Sequence, residues 1–427
     1  MTKCETVSLR VDLGQLIPVK PVKCIYIYTL NTGVLLRGLC QNDRAMRLRI
    51  SRMIADSFTN RITARLALVT VLCLAVTTVR AGTVALGSLK GLAIDKNAIS
   101  LSGPSSGAFM AHQFHVIHSA NIMGAGVIAG GPYGCAEGSY FWSRFDATGL
   151  YAATSVCSNT NPYWFFQGPP DVDVSIEATR DRAKKGSIDD PAHMRNDRVW
   201  LFSGANDDIV PTSVMDIVAD YYAGFIDKAT IVYEKNDDAN HAMITEAFGN
   251  ACDAYQPHYI NDCDFDAARR IFRRIYGKLD PKATSETLQP VITFDQTEFF
   301  DTSDRRISMN RLGHIYIPRA CAEGTTCRLH VAFHGCKQFQ EIAGDLFYTR
   351  SAYNEWAEAN RIVVLYPQTT AWADNPYFQY QQNPNGCWDW WGYSGEDYAS
   401  KSGKQIRAVA GMINILIGGK LLDTPIP

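Results

Sequence analysis

The stretch Asn97–Ala120, NAISLSGPSSGAFMAHQFHVIHSA, decides how the rest of the chain is read. Asn97–Ser102 has the pattern of a strand. Gly103-Pro104-Ser105-Ser106-Gly107 then turns the chain, and Ala108–Ala120 continues with apolar residues at the spacing of a helix. The turn matches G-x-S-x-G. A serine at a sharp strand-to-helix turn stands with its hydroxyl exposed above the sheet, and small neighbours let the backbone make that turn. The pattern by itself recurs by chance as a Gly/Ser loop; its place between a predicted strand and a predicted helix gives it weight. Ser105 is the candidate nucleophile, with Ser106 its close competitor.

Outward from this point the chain alternates. Ile122–Ala129 is a continuous apolar run suited to a buried parallel strand. Pro132–Asp197, rich in Gly, Pro and aromatics, reads as irregular. Arg198–Ser203 is a strand, Thr212–Phe225 a helix and Ala229–Glu234 a strand. In the last third, His314–Pro318, Leu329–Phe333 and Ile362–Tyr366 are short strands, and Lys404–Leu416 is a closing helix. This alternation predicts an α/β fold, a mostly parallel central sheet with helices on both faces. There is no internal repeat and no low-complexity linker, so Gly82–Pro427 is expected to be one catalytic domain.

A serine nucleophile needs a base and an acid, and in α/β hydrolases they follow it in the order Asp or Glu, then His. The segment Gly204–Pro211, GANDDIVP, lies just past the strand Arg198–Ser203. Asp207 is favoured as the acid, because Gly204, Asp207 and Val210 fit the spacing Gly-x-x-Asp-x-x-Val. Asp208 is better suited to cap the helix after it. His241 lies beyond the strand Ala229–Glu234 and the loop Asn236–Asn240, where the base belongs; the other eight histidines fit less well. Asp207 would hold the imidazole in the right tautomer, and His241 would take the proton from Ser105.

The negative charge that develops on an attacked carbonyl needs two backbone N–H donors. Ser106, the residue after the nucleophile, should supply one. The other normally comes from a loop upstream of the serine, and no such strand and loop precede it here. The strand Leu329–Phe333 followed by His334-Gly335-Cys336 has the right form, but stands after the triad. The chain therefore reads as a circularly permuted α/β hydrolase with Cys336 N–H as the second donor.

Taken together, Ser102–Met110, Ala129-Gly130-Gly131-Pro132-Tyr133, Gly204-Ala205-Asn206-Asp207, Asn240-His241, His334-Gly335-Cys336 and Cys387-Trp388-Asp389-Trp390-Trp391-Gly392 resemble the permuted, single-domain poly(3-hydroxybutyrate) depolymerases, secreted serine esterases. The resemblance covers nearly all of Gly82–Pro427. It implies Ser105, Asp207 and His241 as the triad, Ser106 and Cys336 as oxyanion donors, and a disulfide from Cys336 to Cys387 anchoring the oxyanion loop. Pro104 departs from the pattern, which has an aliphatic residue there; proline removes a backbone donor but leaves the serine in place.

The chain has 427 residues, 46% hydrophobic and 20% charged, with a formal net charge of −2. That is ordinary globular composition. It carries no basic stripe, so no nucleic-acid partner is expected. No zinc-type or haem spacing of Cys and His occurs, and the chemistry above needs neither metal nor cofactor. Leu66–Val76, LALVTVLCLAV, follows Arg61 and Arg65 and precedes Val79-Arg80-Ala81. This is the form of a secretory signal cleaved after Ala81, and the run is too short for a membrane span. Met46 and Met53 both stand at sensible distances upstream. Residues 1–81 are therefore expected to be a leader, a misplaced start followed by a signal peptide at about 53–81, and the mature protein to be secreted with no stable membrane anchor.

Four of the twelve cysteines precede the expected cleavage point, and eight follow it. An even number in an exported chain reads as disulfides, although eight cysteines allow far too many pairings for connectivity to follow from sequence. Short loops point to Cys252 with Cys263 and Cys321 with Cys327. Cys135 and Cys157 complete the set.

Trp388, Trp390 and Trp391 are candidates for an apolar wall around an acyl chain; the alternative is packing around a disulfide. The expected activity is hydrolysis of short-chain polyhydroxyalkanoate, poly(3-hydroxybutyrate) or its oligomers, through an acyl-enzyme. A feruloyl or acetyl esterase of plant polysaccharide would use the same triad. A non-catalytic secreted binding module would have no use for it.

Overall fold

From Ala98 onward the long central strand Ile94–Pro104 is buried on both faces, and the alternation of its side chains decides what covers them. The computed structural model describes residues 83–89, 91–137, 149–160, 167–373 and 382–422, and the backbone of an antiparallel ribbon, Ile27–Leu30 with Gly33–Leu36. The proposed signal segment, its arginines and both internal methionines lie outside the described residues. Ala81–Pro427 forms one structural unit.

Nine strands of this unit make one sheet: β1 (Val84–Ala85), β2 (Ile94–Pro104), β3 (Gly124–Ile128), β4 (Arg198–Gly204), β5 (Ile231–Asn236), β6 (Ile292–Asp295), β7 (Leu312–Tyr316), β8 (Cys327–Ala332) and β9 (Ile362–Tyr366). Their order is β1-β6-β7-β9-β8-β2-β3-β4-β5. All neighbours are parallel except around β7, which runs antiparallel to β6 and β9. The chain enters the unit's centre at β2, builds outward through β3, β4 and β5, and then crosses to fill the other side with β6 to β9. Parallel strands buried on both faces read as apolar runs, as Ile362–Tyr366 (IVVLY) does.

Successive side chains point to opposite faces. In β4, Val199 and Leu201 join one core while Trp200 and Phe202 join the other; in β9, Val363 and Leu365 oppose Ile362, Val364 and Tyr366. The first core receives α1 (Ser106–Ile117), α3 (Thr212–Ala223) and α6 (Lys404–Leu416), with α2 (Val172–Lys184) packed at its margin. The second receives α4 (Ala267–Tyr276) and α5 (Tyr353–Asn360). The fold is thus a three-layer α/β sandwich. In α4, Ala267, Ala268, Ile271, Phe272 and Ile275 turn inward while the arginines between them turn out, an amphipathic stripe that fixes which way the helix faces.

Two expectations are corrected here. The segment Pro132–Asp197 is not irregular throughout, since it holds α2. That helix buries only Ser175 and Thr179 and lays Val172, Ile176 and Ala183 half-buried against the first core, so its apolar side is thin; its start is set by Asp171, whose side chain accepts from Asp173 N–H. Asp208 does not cap α3: the cap position is Pro211, with no side-chain hydrogen bond, and Asp208 is exposed.

Candidate active site

β2 delivers Ser105 to the carboxyl edge of the sheet. The residue has φ 55° and ψ −128°, a backbone region that costs an L-residue on the order of 1–3 kcal/mol and persists only where its surroundings enforce it. They do so here. Ser105 N–H donates to Ile128 O at 2.9 Å, and Ser105 O accepts from the N–H groups of Ala108 at 2.8 Å and Phe109 at 3.1 Å. The hydroxyl does not cap α1, so it is left for other work. Gly103 and Gly107 are small because the end of β8 passes against the turn. A Cβ at either one would lie 2.3 Å from Phe333 O.

Asp207 and His241 come from loops after β4 and β5. Asp207 is buried; its Oδ1 accepts from Ile209 N–H at 2.9 Å and Val210 N–H at 2.8 Å, and its Oδ2 from His241 Nδ1 at 2.7 Å. Two main-chain donors hold one carboxylate oxygen, so the other is aimed. With Nδ1 donating to the carboxylate, Nε2 of His241 carries the free lone pair. The histidine's own backbone is secured through Asn240, whose N–H donates to Cys252 O at 3.0 Å, and Cys252 is bonded to Cys263.

The loop after β8 lies beside this turn, although it is remote in sequence. A Cβ on Gly335 would stand 3.2 Å from Ser105 Cβ. The N–H groups of Ser106 and Cys336 have no protein acceptor among the described residues; the first belongs to the opening turn of a helix, where donors are unpaired by construction. Cys336 is bonded to Cys387, with Cα atoms 4.3 Å apart, and Lys337 N–H donates to Asn385 O at 2.7 Å. Gln338 joins the two sides of the site. Its Oε1 accepts from Gly335 N–H at 2.7 Å, and its Nε2 donates to the carbonyls of His258 and Tyr259, each at 2.9 Å. The other bonded pairs are Cys135–Cys157 and Cys321–Cys327.

Ser105, His241 and Cys336 all line one cleft of about 510 Å³, which Trp390, Trp391, Tyr255 and Tyr259 also border. Trp390 stacks on Phe109 of α1 with ring centroids 3.8 Å apart. Trp388 does not reach the cleft. Its indole is fully buried, edge-on to Phe333 and beside His334, so the expectation that it contacts substrate is corrected to a packing role. Between the tryptophans, buried Asp389 accepts from the N–H groups of Trp391, Gly392, Tyr393 and Ser394 and from Ser394 Oγ. Burial raises its carboxyl pKa while those hydrogen bonds oppose the shift. Burial also lifts the Tyr255 phenol to about 12, which keeps it neutral at the rim.

Sequence reasoning did not single out Gln338, Asp389, Tyr255 or Tyr259. Gln338 stands three residues past Gly335, a spacing with no motif of its own. Asp389 sits in full view within the tryptophan cluster. His330 and His112 are buried and pushed down to about 3; they are core residues, in line with their low ranking as bases. Among the described residues no His, Cys, Asp and Glu cluster could hold a metal ion, and no helix is long and apolar enough to cross a membrane.

The parallel sheet, the strained serine turn at its carboxyl edge and the Asp–His pair on two later loops of the same edge make this an α/β-hydrolase fold. No protein-family model matches the chain. A poly(3-hydroxybutyrate) depolymerase of Delftia acidovorans is 40% identical over 343 residues, 79% of this chain and 63% of that one. A polyhydroxybutyrate depolymerase of Talaromyces funiculosus is 30% identical over 351 residues, 79% of this chain and 95% of that one. Two solved structures superpose over 77% of this chain and 98% of theirs. One is a serine-to-alanine PHB depolymerase complexed with an R3HB trimer, with a TM-score of 0.67 and 28% identity; the other is the PHB depolymerase of Penicillium funiculosum, at 0.66 and 29%. The chain belongs to the polyhydroxybutyrate depolymerase family.

Proposed function

We propose that this chain is a secreted carboxylic ester hydrolase that cleaves poly(3-hydroxybutyrate) or its oligomers through an acyl-enzyme. Ser105 Oγ attacks the ester carbonyl while His241 Nε2 takes its proton. Asp207 holds the imidazole and stabilises the imidazolium that forms. The carbonyl oxygen becomes an oxyanion that the N–H groups of Ser106 and Cys336 receive, an interaction for which one donor is worth about 10²–10³ in rate. Collapse breaks the ester C–O bond, and His241 returns the proton to the departing hydroxyl. Water, activated by the same histidine, then releases the acid. Trp390 and Trp391 border the cleft and would wall the acyl chain.

The observation that carries the reading is the cleft itself. A serine in a strained turn, the histidine of an Asp–His pair and an unpaired main-chain donor all open on one apolar-walled cavity. The R3HB trimer bound by a related enzyme supports the substrate class, and four disulfides suit an oxidising compartment. The test is clearing of a turbid suspension of amorphous polyhydroxybutyrate, run beside soluble feruloyl, acetyl and butyryl esters. Clearing with release of 3-hydroxybutyrate oligomers is expected. Hydrolysis of feruloyl or acetyl esters without clearing would overturn the substrate assignment, and no hydrolysis of any ester would overturn the enzyme.

A further inference from the structure

Cys336 lines the cleft, and its N–H has no protein acceptor among the described residues, so nothing bonded to that nitrogen sets its direction. The cause lies at the other end of the same peptide unit. Gly335 O accepts a hydrogen bond from Nδ1 of His334 at 2.8 Å. The peptide bonds of the described chain are trans, so C=O and N–H of the 335–336 unit point in opposite directions. Drawing the carbonyl toward the buried imidazole turns the N–H outward.

The ring's own tautomer is determined by its surroundings. Nε2 lies 3.2 Å from Thr369 N, and a main-chain N–H can only donate. Nε2 must therefore be the acceptor, and the proton sits on Nδ1, facing a carbonyl that can only accept. Thr369 Oγ1, 3.3 Å from Nε2, gives its proton to Gly386 O at 2.6 Å. His334 is fully buried, and burial holds its pKa down to about 4, so the ring stays neutral. A donor at the carbonyl also polarises the peptide and strengthens the N–H at its far end.

From this geometry we infer that His334 is a positioning residue for ester hydrolysis, its Nδ1–H orienting the Gly335–Cys336 peptide so that Cys336 N–H meets the oxyanion. The inference rests on the reading of Cys336 as oxyanion donor. It does not make His334 a proton carrier. It explains why the loop spends a buried histidine where a smaller apolar residue would pack.

Three variants separate positioning from packing. In His334→Asn the amide nitrogen replaces Nδ1 and can still reach Gly335 O. In His334→Gln the side-chain oxygen replaces Nε2 and still accepts from Thr369 N–H, but the carbonyl is left bare. In His334→Phe both are lost with the ring shape kept. With 4-nitrophenyl butyrate, kcat should rank wild type, Asn, Gln, Phe. The Gln and Phe variants should fall by about tenfold to a hundredfold, less than full loss of a donor, with KM nearly unchanged. Inhibition by 1-butaneboronic acid, which presents a tetrahedral oxyanion, should weaken in the same order as kcat. A merely structural role would rank kcat by thermal midpoint instead and leave boronate affinity in step with KM; Gln equal to or better than Asn would overturn the inference. Should the variants fail to fold, ¹⁵N-histidine spectra of the unaltered protein decide the matter: a neutral Nδ1–H ring at His334 supports it and an Nε2–H ring refutes it. A boronate-bound structure separates the two readings. An oxyanion far from Cys336 N–H overturns the hole itself and this inference with it. An oxyanion on Cys336 N–H combined with the wrong variant order overturns the positioning role alone.

Discussion

The two flanks of the nucleophile strand are held by different means. On one side, β3, β4 and β5 follow in chain order, and their loops carry the groups that would work through side chains. Asp207 is steadied by two main-chain N–H groups, and it steadies His241 in turn. On the other side, the loop after β8 is to work through a main-chain N–H. There the side chains hold the backbone: Cys336 by a disulfide, His334 and Gln338 by hydrogen bonds to the two polar groups of Gly335. Where a side chain is the instrument, the main chain is its clamp; where the main chain is the instrument, side chains are the clamp. One consequence is that substitutions on the two flanks should fail differently, by loss of a reacting group on the first and by loosened geometry on the second.

The largest effect is expected at the strand between them. Ser105→Ala should abolish ester hydrolysis and leave the thermal midpoint nearly unchanged or raised, since no cavity forms and a small residue remains in the turn. A serine-reactive phosphonate should label Ser105 alone in peptide maps; labelling of Ser106 would break the assignment.

Next comes the side-chain flank. Asp207→Asn should lower kcat by about 10³–10⁴-fold, the loss typical of an orienting acid. Asp208→Asn should change it little, because that residue is exposed and touches neither partner. Steady-state kinetics of the two variants settle which neighbour is the acid, and the reverse ranking would move the site by one residue.

The main-chain flank should lose less. Replacing Cys336 and Cys387 together by alanine loosens a donor without deleting it, so kcat should drop by less than the roughly 10²–10³-fold of a lost donor. Stability should fall by about 2–4 kcal/mol. Replacing Cys321 and Cys327, at the amino end of β8 and away from the cleft, should lower stability with kcat unchanged. Equal kcat losses from the two pairs would mean that the Cys336–Cys387 bond does not act by holding the donor.

The smallest effect concerns pH. His330 lies in β8 between Ser100 Oγ on Nδ1 and Ser102 Oγ on Nε2, each at 2.7 Å, and burial holds it down to about 3; His334 is held down to about 4. An unfolded histidine titrates near 6.5. Between these values the unfolded chain binds more protons than the folded one, so stability falls as pH drops below about 6.5, by at most roughly 1.4 kcal/mol per pH unit for each such ring. Well above pH 7 the rings contribute almost no slope. Urea midpoints at pH 7.5 and 5.5 test this. A midpoint that rises on acidification would mean that these rings are not held neutral.

Much of this site is legible in the residues alone. Ser105 ends the central strand, and Asp207 and His241 follow β4 and β5 on one flank of it, where order along the chain and place after each strand single them out as candidates. The strand pattern is legible for the same reason, because strands buried on both faces are apolar throughout and helices between them carry a stripe. The largely polar helix α2, whose apolar side chains are only half-buried, is not. Nor is the idle N-terminus of α3, where Pro211 stands and neither aspartate caps. Trp388 and Trp390 have the same chemistry two residues apart, and sequence offers no ground for sending one into the core and the other to the cleft.

By itself the sequence determined the residue types, their order and the local backbone: a serine that must turn sharply, an acid and a base on later loops, and a permuted His-Gly-Cys segment. These are properties of short spans, in which a few neighbours decide the outcome. Only the tertiary structure decided which peptide faces which. That β8 lies against β2, that Gly335 stands beside Ser105, that Gln338 reaches the loop of His258, and that His334 must carry its proton on Nδ1 are each settled by partners far away in the chain. A hydrogen bond's direction depends on what stands opposite, and no local pattern records that.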